Sequence, residues 1–159
     1  MYLQIEQHFE DAQIHAKTAI ALDPNAADSY ALLGTIDSYL GQLDDSVRLI
    51  RKAIRLNPHA PARYFLTLGR SIFFRGEYEQ AIPVLIEAVN RNPAYVLSHI
   101  YLAAAYLQVG AADEASWEAA EILLLAPDFS VGDWLRTQPI KDSAQADRLA
   151  HNLHRAGLP

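Results

Sequence analysis

The chain has 159 residues, 51% of them apolar, a formal net charge of −6 and no cysteine. That length fits about one domain, with enough apolar content for a core and too much for disorder. The acidic balance argues against a surface built for nucleic-acid phosphates or anionic lipid, and no disulfide framework or thiol chemistry is available.

Met1 to Glu6 carry no basic stretch and no long apolar core, so no signal peptide is read there. No apolar run approaches the ~20 residues of a membrane span. A cytoplasmic location is therefore expected. Phe9, Ala12, Ala16, Ala19 and Pro24 read as the second half of a helical pair. Counted back by the period described next, Met1 falls part way along that pair's first helix. Tyr2, Leu3 and Ile5 would then cover the apolar edge of the following helix. This open end is expected to meet a longer array or another protein, a second copy in a homodimer included.

Pro24, Pro58, Pro93 and Pro127 recur about every 34 residues and each ends an apolar helical run. Residues 1–26 form a partial unit, 27–60, 62–95 and 96–129 full units, and 130–159 a cap, all within a single domain 1–159. Pro61 is one extra residue between two units. Each first helix carries a bulky residue (Tyr30, Phe65, His99), then Leu33, Leu68 or Leu102, then a small one (Gly34, Gly69, Ala103). Apolar groups at i, i+3 and i+4 make a stripe that must face a neighbouring helix. Gly41, Gly76 and Gly110 mark the turns. Asp44-Asp45, Glu79-Gln80 and Asp113-Glu114 then start the second helices, where negative charge meets the positive end of the dipole. Repetition in every unit favours this capping role over paired catalytic carboxylates. Ser46 and Ala53, Ala81 and Ala88, and Ala115 are small residues for helix crossings, with Ile122 in place of a second alanine. A period of this length, two helices per unit, predicts an all-α solenoid of antiparallel helix pairs.

After Pro127 the period stops. Asp128-Phe129-Ser130 opens a short helix holding Trp134, Pro139 interrupts, and Asp142 or Ser143 caps a last helix over 144–156, with Leu149 and Leu153 on one face. His151, Asn152, His154 and Arg155 suit the polar outer face that a terminal helix needs.

The spacing of Tyr30-Leu33-Gly34, Ser46, Ile50, Ala53 and Pro58, and of Phe65-Leu68-Gly69, Tyr78, Ala81, Leu85, Ala88 and Pro93, resembles the tetratricopeptide repeat (TPR). Leu102, Tyr106, Ala115 and Pro127 continue the likeness. Asp37 departs from it, standing where a bulky aromatic is usual, and is expected at the rim or beside a basic partner, since a buried lone carboxylate is costly. The resemblance implies a right-handed superhelix whose first helices line a concave, peptide-binding face. By its register the inward positions are Asp28, Ala31, Thr35, Ser38 and Tyr39, then Arg63, Leu66, Thr67, Arg70, Phe73 and Phe74, then Leu97, Ile100, Tyr101, Ala104 and Leu107. Arg63, Leu66, Thr67, Arg70, Phe73, Phe74, Leu97, Ile100, Tyr101 and Ala104 are the candidate peptide-binding residues, with Arg70 and Tyr101 foremost. Such a floor suits a protein or peptide partner with apolar anchors and an acidic group held by arginine. Ala31, Thr35, Thr67, Leu97 and Tyr101 stand where repeats that clamp chaperone C-termini carry Lys, Asn and Arg, so that clamp is not expected.

The tail, from Pro127-Asp128-Phe129-Ser130 through Trp134, Thr137, Pro139 and Lys141-Asp142 to Ala156-Gly157-Leu158-Pro159, also resembles the ending of bacterial signalling proteins. In those, a class III nucleotide cyclase or winged-helix domain precedes a TPR array, which implies an upstream domain as a partner in cis. No catalytic residue, cofactor or metal is expected. His151 and His154, and His8 and His15, lack further ligands. The glycines are isolated rather than grouped in a phosphate loop, and no Gly-x-Ser-x-Gly elbow occurs.

Overall fold

A computed structural model describes the backbone of residues 2–140 and 142–159 and the side chains of residues 8–140 and 142–159. Among the described residues there are nine helices and no strands. They are α1 (Tyr2–Leu22), α2 (Ala27–Tyr39), α3 (Leu43–Leu56), α4 (Ala62–Phe74), α5 (Tyr78–Arg91), α6 (Val96–Gln108), α7 (Ala112–Leu125), α8 (Val131–Thr137) and α9 (Ser143–Arg155). Consecutive helices α1 to α7 pack on one another, and α2, α4 and α6 also touch along a second row. This is the all-α repeat solenoid expected from the period.

The hairpins α2–α3, α4–α5 and α6–α7 turn in the same way. Gly41, Gly76 and Gly110 have φ of 78°, 82° and 81°, a left-handed conformation that glycine adopts without steric cost. The residue after each glycine donates its N–H back across the helix end: Gln42 to the Asp37 carbonyl at 2.8 Å, Glu77 to Ile72 at 3.2 Å, and Ala111 to Tyr106 at 2.9 Å. These bonds satisfy carbonyls that the helix leaves orphaned. Asp44, Asp45, Glu79, Asp113 and Glu114 lie in the first turns of α3, α5 and α7 as their spacing predicts.

Inside the hairpins one contact sets how closely the helices approach. A Cβ placed on Gly34 would lie 2.8 Å from Ile50, and on Gly69 2.6 Å from Leu85. In α6–α7 the matching pair is Ala103 and Ala119, both buried, so two small residues replace a glycine facing a large one. One turn further along α7 the fully buried Ile122 stands where α3 and α5 carry Ala53 and Ala88. Close-packed interiors require such exchanges of volume.

The N-terminal helix differs from the expected remnant of a pair. The helix α1 runs unbroken from Tyr2 to Leu22, and position 7, matching the turn glycines, is Gln7. Without a residue that favours positive φ, nothing ends the helix there. The expected covering role of Tyr2, Leu3 and Ile5 lies outside the described side chains. Asp37 is also not at the rim. It is 4% exposed, and its partner is an amide, Gln13 Nε2, which donates to Oδ1 at 2.6 Å. Burial raises its pKa above the ordinary carboxylate range, against the lowering effect of the Gln13 bond.

At the other end, Ser130 caps α8 by accepting from Asp133 N, and Asp142 caps α9 by accepting from Ala144 N and Gln145 N. The buried Leu149 and Leu153 seat α9 in the core, and α9 packs against α6. His151, His154 and Arg155 face solvent, but Asn152 is buried. The helix is therefore wrapped on more of its circumference than a plain end cap.

Candidate binding face

The face formed by α2, α4 and α6 gathers most of the candidate residues, but not in one state of exposure. Arg63, Leu66, Thr67, Arg70, Leu97 and Tyr101 line one concavity of about 170 Å³ together with Thr35, Tyr39 and Tyr95. Phe74 joins Arg70 and Tyr101 in a second cavity, and Phe73 and Phe74 line a third depression toward α9. Ile100 and Ala104 are fully buried and belong to the core, because the same helix face that looks inward here packs against its neighbours. Of the other inward positions, Ala31, Ser38 and Leu107 are buried, while Asp28 lies exposed at one end.

Arg70 is the centre of this face. It is 6% exposed, its Cζ lies 3.8 Å from the centroid of the Tyr39 ring, and its Nε donates to Ser38 Oγ at 3.3 Å. Ser38 is held in turn by Ser71, whose hydroxyl lies 2.8 Å away and is shared with Ser46 at 2.8 Å. This buried chain of hydroxyls ties α2, α3 and α4 and fixes the guanidinium from below. Tyr39 is itself stacked on Phe9 of α1 with ring centroids 5.5 Å apart. The Arg70 Nη2 has no hydrogen-bond partner among the described residues. A buried donor left unpaired costs about 1–3 kcal/mol.

Tyr101 stands beside Arg70 and is 2% exposed. Burial pushes its phenol up to about 12, and the nearby guanidinium acts in the opposite direction. Phe73, Phe74 and Trp134 surround its ring edge-on, with centroids 6.0, 5.9 and 6.0 Å away. Trp134 comes from α8, and its Nε1 is a second buried donor without a partner. Beyond α8 the chain crosses the concave face. Gln138, Pro139 and Ile140 share one cavity with Tyr39 and Leu40 of α2, Arg70 and Phe74 of α4, and Tyr101 of α6.

The register of the repeats points to the floor of this face, and nothing in it points to the roof. Trp134 and Pro139 stand out in the sequence as parts of a cap. That Trp134 meets Tyr101 and Pro139 shares a cavity with Arg70 depends on contacts made across the whole solenoid. At the exposed end of the face, Arg63 pairs with Asp28 at 2.5 Å, and the Tyr64 hydroxyl donates to the same carboxylate at 2.6 Å. These bonds hold the Asp28 carboxyl below its ordinary range, the Tyr64 bond contributing most.

Among the described residues no three His, Cys, Asp or Glu side chains are grouped to hold a metal ion, and no described helix is long and apolar enough to cross a membrane. The arrangement offers a recessed aromatic and cationic floor. The class of molecule it defines is a helical-repeat solenoid.

Comparison with known proteins agrees with that class. Residues 27–59 match the tetratricopeptide repeat family model. A TPR repeat-containing thioredoxin, TTL4 of Arabidopsis thaliana, is 29% identical over 98 residues, which cover 62% of this chain and 14% of the plant protein. The chain thus spans only a small part of that relative. Among solved structures, MamA superposes with a TM-score of 0.72 at 21% identity, covering 96% of this chain and 89% of that one. YrrB, described as a TPR protein with an unusual peptide-binding site, gives 0.67 at 18% identity, with coverage of 97% and 84%. These similarities establish the TPR-like solenoid fold.

Proposed function

We propose that this chain is a non-catalytic protein-interaction module that holds a peptide or protein partner on its concave face. The observation that carries the reading is the convergence of Arg63, Leu66, Thr67, Arg70, Leu97 and Tyr101 on one recess. Apolar walls with a guanidinium on the floor suit an extended segment with apolar anchors and an acidic side chain. The resemblance of the tail to bacterial cyclase and winged-helix proteins supports a partner in cis, an upstream signalling domain of the same polypeptide.

The test uses residues at the open edge of the recess, so that the core stays intact. Arg63→Glu with Leu97→Asp should abolish binding of acidic, leucine-bearing peptides selected from an array, with the helical circular-dichroism signal unchanged. Equal binding by the doubly substituted chain would remove the concave face from the reading.

A second reading, homodimerisation through α1, rests on Ile14 and Leu22, which are 62% and 83% exposed. Light scattering separates the two: a dimer that Ile14→Glu with Leu22→Glu returns to monomer favours pairing through α1, and a monomer at all concentrations removes it.

A further inference from the structure

Two buried N–H donors flank Tyr101 without an acceptor among the described residues, Arg70 Nη2 from α4 and Trp134 Nε1 from α8. Interiors seldom leave such donors unpaired, and each exception calls for an explanation. Arg70 also lacks a counter-charge, since none of the ion pairs among the described residues includes it. Next to it is a cavity of about 190 Å³, with Tyr39, Phe74 and Tyr101 on one side and Pro139 and Ile140 on the other. Arg70 lacks a negatively charged acceptor, and the walls nearest it are aromatic and aliphatic.

We propose that this cavity binds a carboxylate carried on a compact apolar body, with Arg70 as its donor and the segment 138–140 as its gate. The proposal rests on the concave face being the working surface and specifies the chemistry that face accepts. A carboxylate gives the guanidinium a charge-assisted bond in a site shielded from water. Asp142 also lines the cavity, its carboxylate engaged by Ala144 N and Gln145 N at 2.9 and 3.4 Å. Its negative charge opposes any anion in the cavity and a dianion about twice as strongly, so a single carboxylate held against Arg70 is the better fit. Arg70 Nη2 is covered in the closed arrangement, and a ligand reaches it when Gln138, Pro139 and Ile140 lift. The carboxylate has two sources, a free organic acid or a Glu or Asp side chain of a bound polypeptide.

The chain has two tryptophans, and Trp117 is 68% exposed on α7, away from this face. In a Trp117→Phe background Trp134 is the sole reporter, and its fluorescence is titrated with 4-methylpentanoate and with 4-methylpentanamide. A blocked peptide with Glu between leucines is compared with its Gln twin. Saturable binding of either acid, at least about tenfold tighter than its amide and lost in Arg70→Met, supports the site and identifies the source. Ile140→Ala, which loosens the gate, should tighten the same acid several-fold. No discrimination between acid and amide in either pair overturns the proposal. If Arg70→Met does not fold by circular dichroism, the acid–amide comparison on the chain with Arg70 intact decides alone. Peptide capture that depends on Arg63 and Leu97 without acid–amide discrimination leaves the interaction module standing and removes this site. Discrimination by the free acid without any peptide capture does the reverse.

Discussion

His99 and Glu118 form a buried ion pair between α6 and α7, with Nδ1 and Oε2 2.6 Å apart. The other ring nitrogen, Nε2, lies 2.8 Å from the Pro93 carbonyl. Both nitrogens therefore face acceptors, an arrangement that favours the doubly protonated ring. Tyr30 makes the matching bond two repeats earlier, its hydroxyl donating to the Pro24 carbonyl at 3.1 Å. In each case a polar side chain from the first helix ties it to the proline turn just before.

The Glu118 bond, reinforced by the Pro93 carbonyl, raises the pKa of His99 above its ordinary value, and burial offsets part of this. A raised histidine pKa in the fold contributes stability that is fully present below the unfolded value of about 6.5 and is lost as pH rises through the folded one. Thermal melts across pH 5 to 9 should show that decline. Glu118→Gln should lower stability by about 1–3 kcal/mol at the acidic end and flatten the profile. An unchanged slope in the variant would show that another group is responsible.

The pairing of Gly69 with Leu85 predicts a compensation. Gly69→Ala alone drives a methyl to 2.6 Å from the Leu85 side chain and should cost about 1–3 kcal/mol. Leu85→Ala alone removes a fully buried side chain and should cost about 2–5 kcal/mol. Together they recreate the Ala103–Ala119 pair of α6–α7, so the double variant should lose less than the sum. A double-mutant cycle from urea melts measures the coupling, and strict additivity would refute it.

Trp134 anchors the crossing segment on Tyr101. Trp134→Ala should cost ~3 kcal/mol, the low end for a tryptophan because its ring is only partly enclosed. The loss should be local. Hydrogen exchange should quicken in residues 131–142, while α2 to α5 keep their protection. Equal exchange in 131–142 before and after the change would show that the segment is held by other contacts.

The repeat architecture was legible from residues whose role is local. A turn glycine, an acidic first turn and a proline exit act within a few residues of themselves, so their recurrence marked each hairpin. The candidate floor was legible in part, because helical periodicity assigns a face. It does not assign exposure, and Ile100 and Ala104 proved to be core while Arg63 stayed open.

What the sequence by itself determined is the order of helices, the turns between them and the side of each helix that faces its neighbour, all consequences of short-range stereochemistry and apolar spacing. Only the tertiary structure decided what lies over Arg70. The segment that crosses it, 138–140, comes from beyond the last repeat and has no periodic signal of its own. Its place depends on α9 docking against α6 and on Trp134 finding Tyr101. Those long-range contacts become favourable only when the solenoid has assembled, and they leave Arg70 and Trp134 buried with donors unspent.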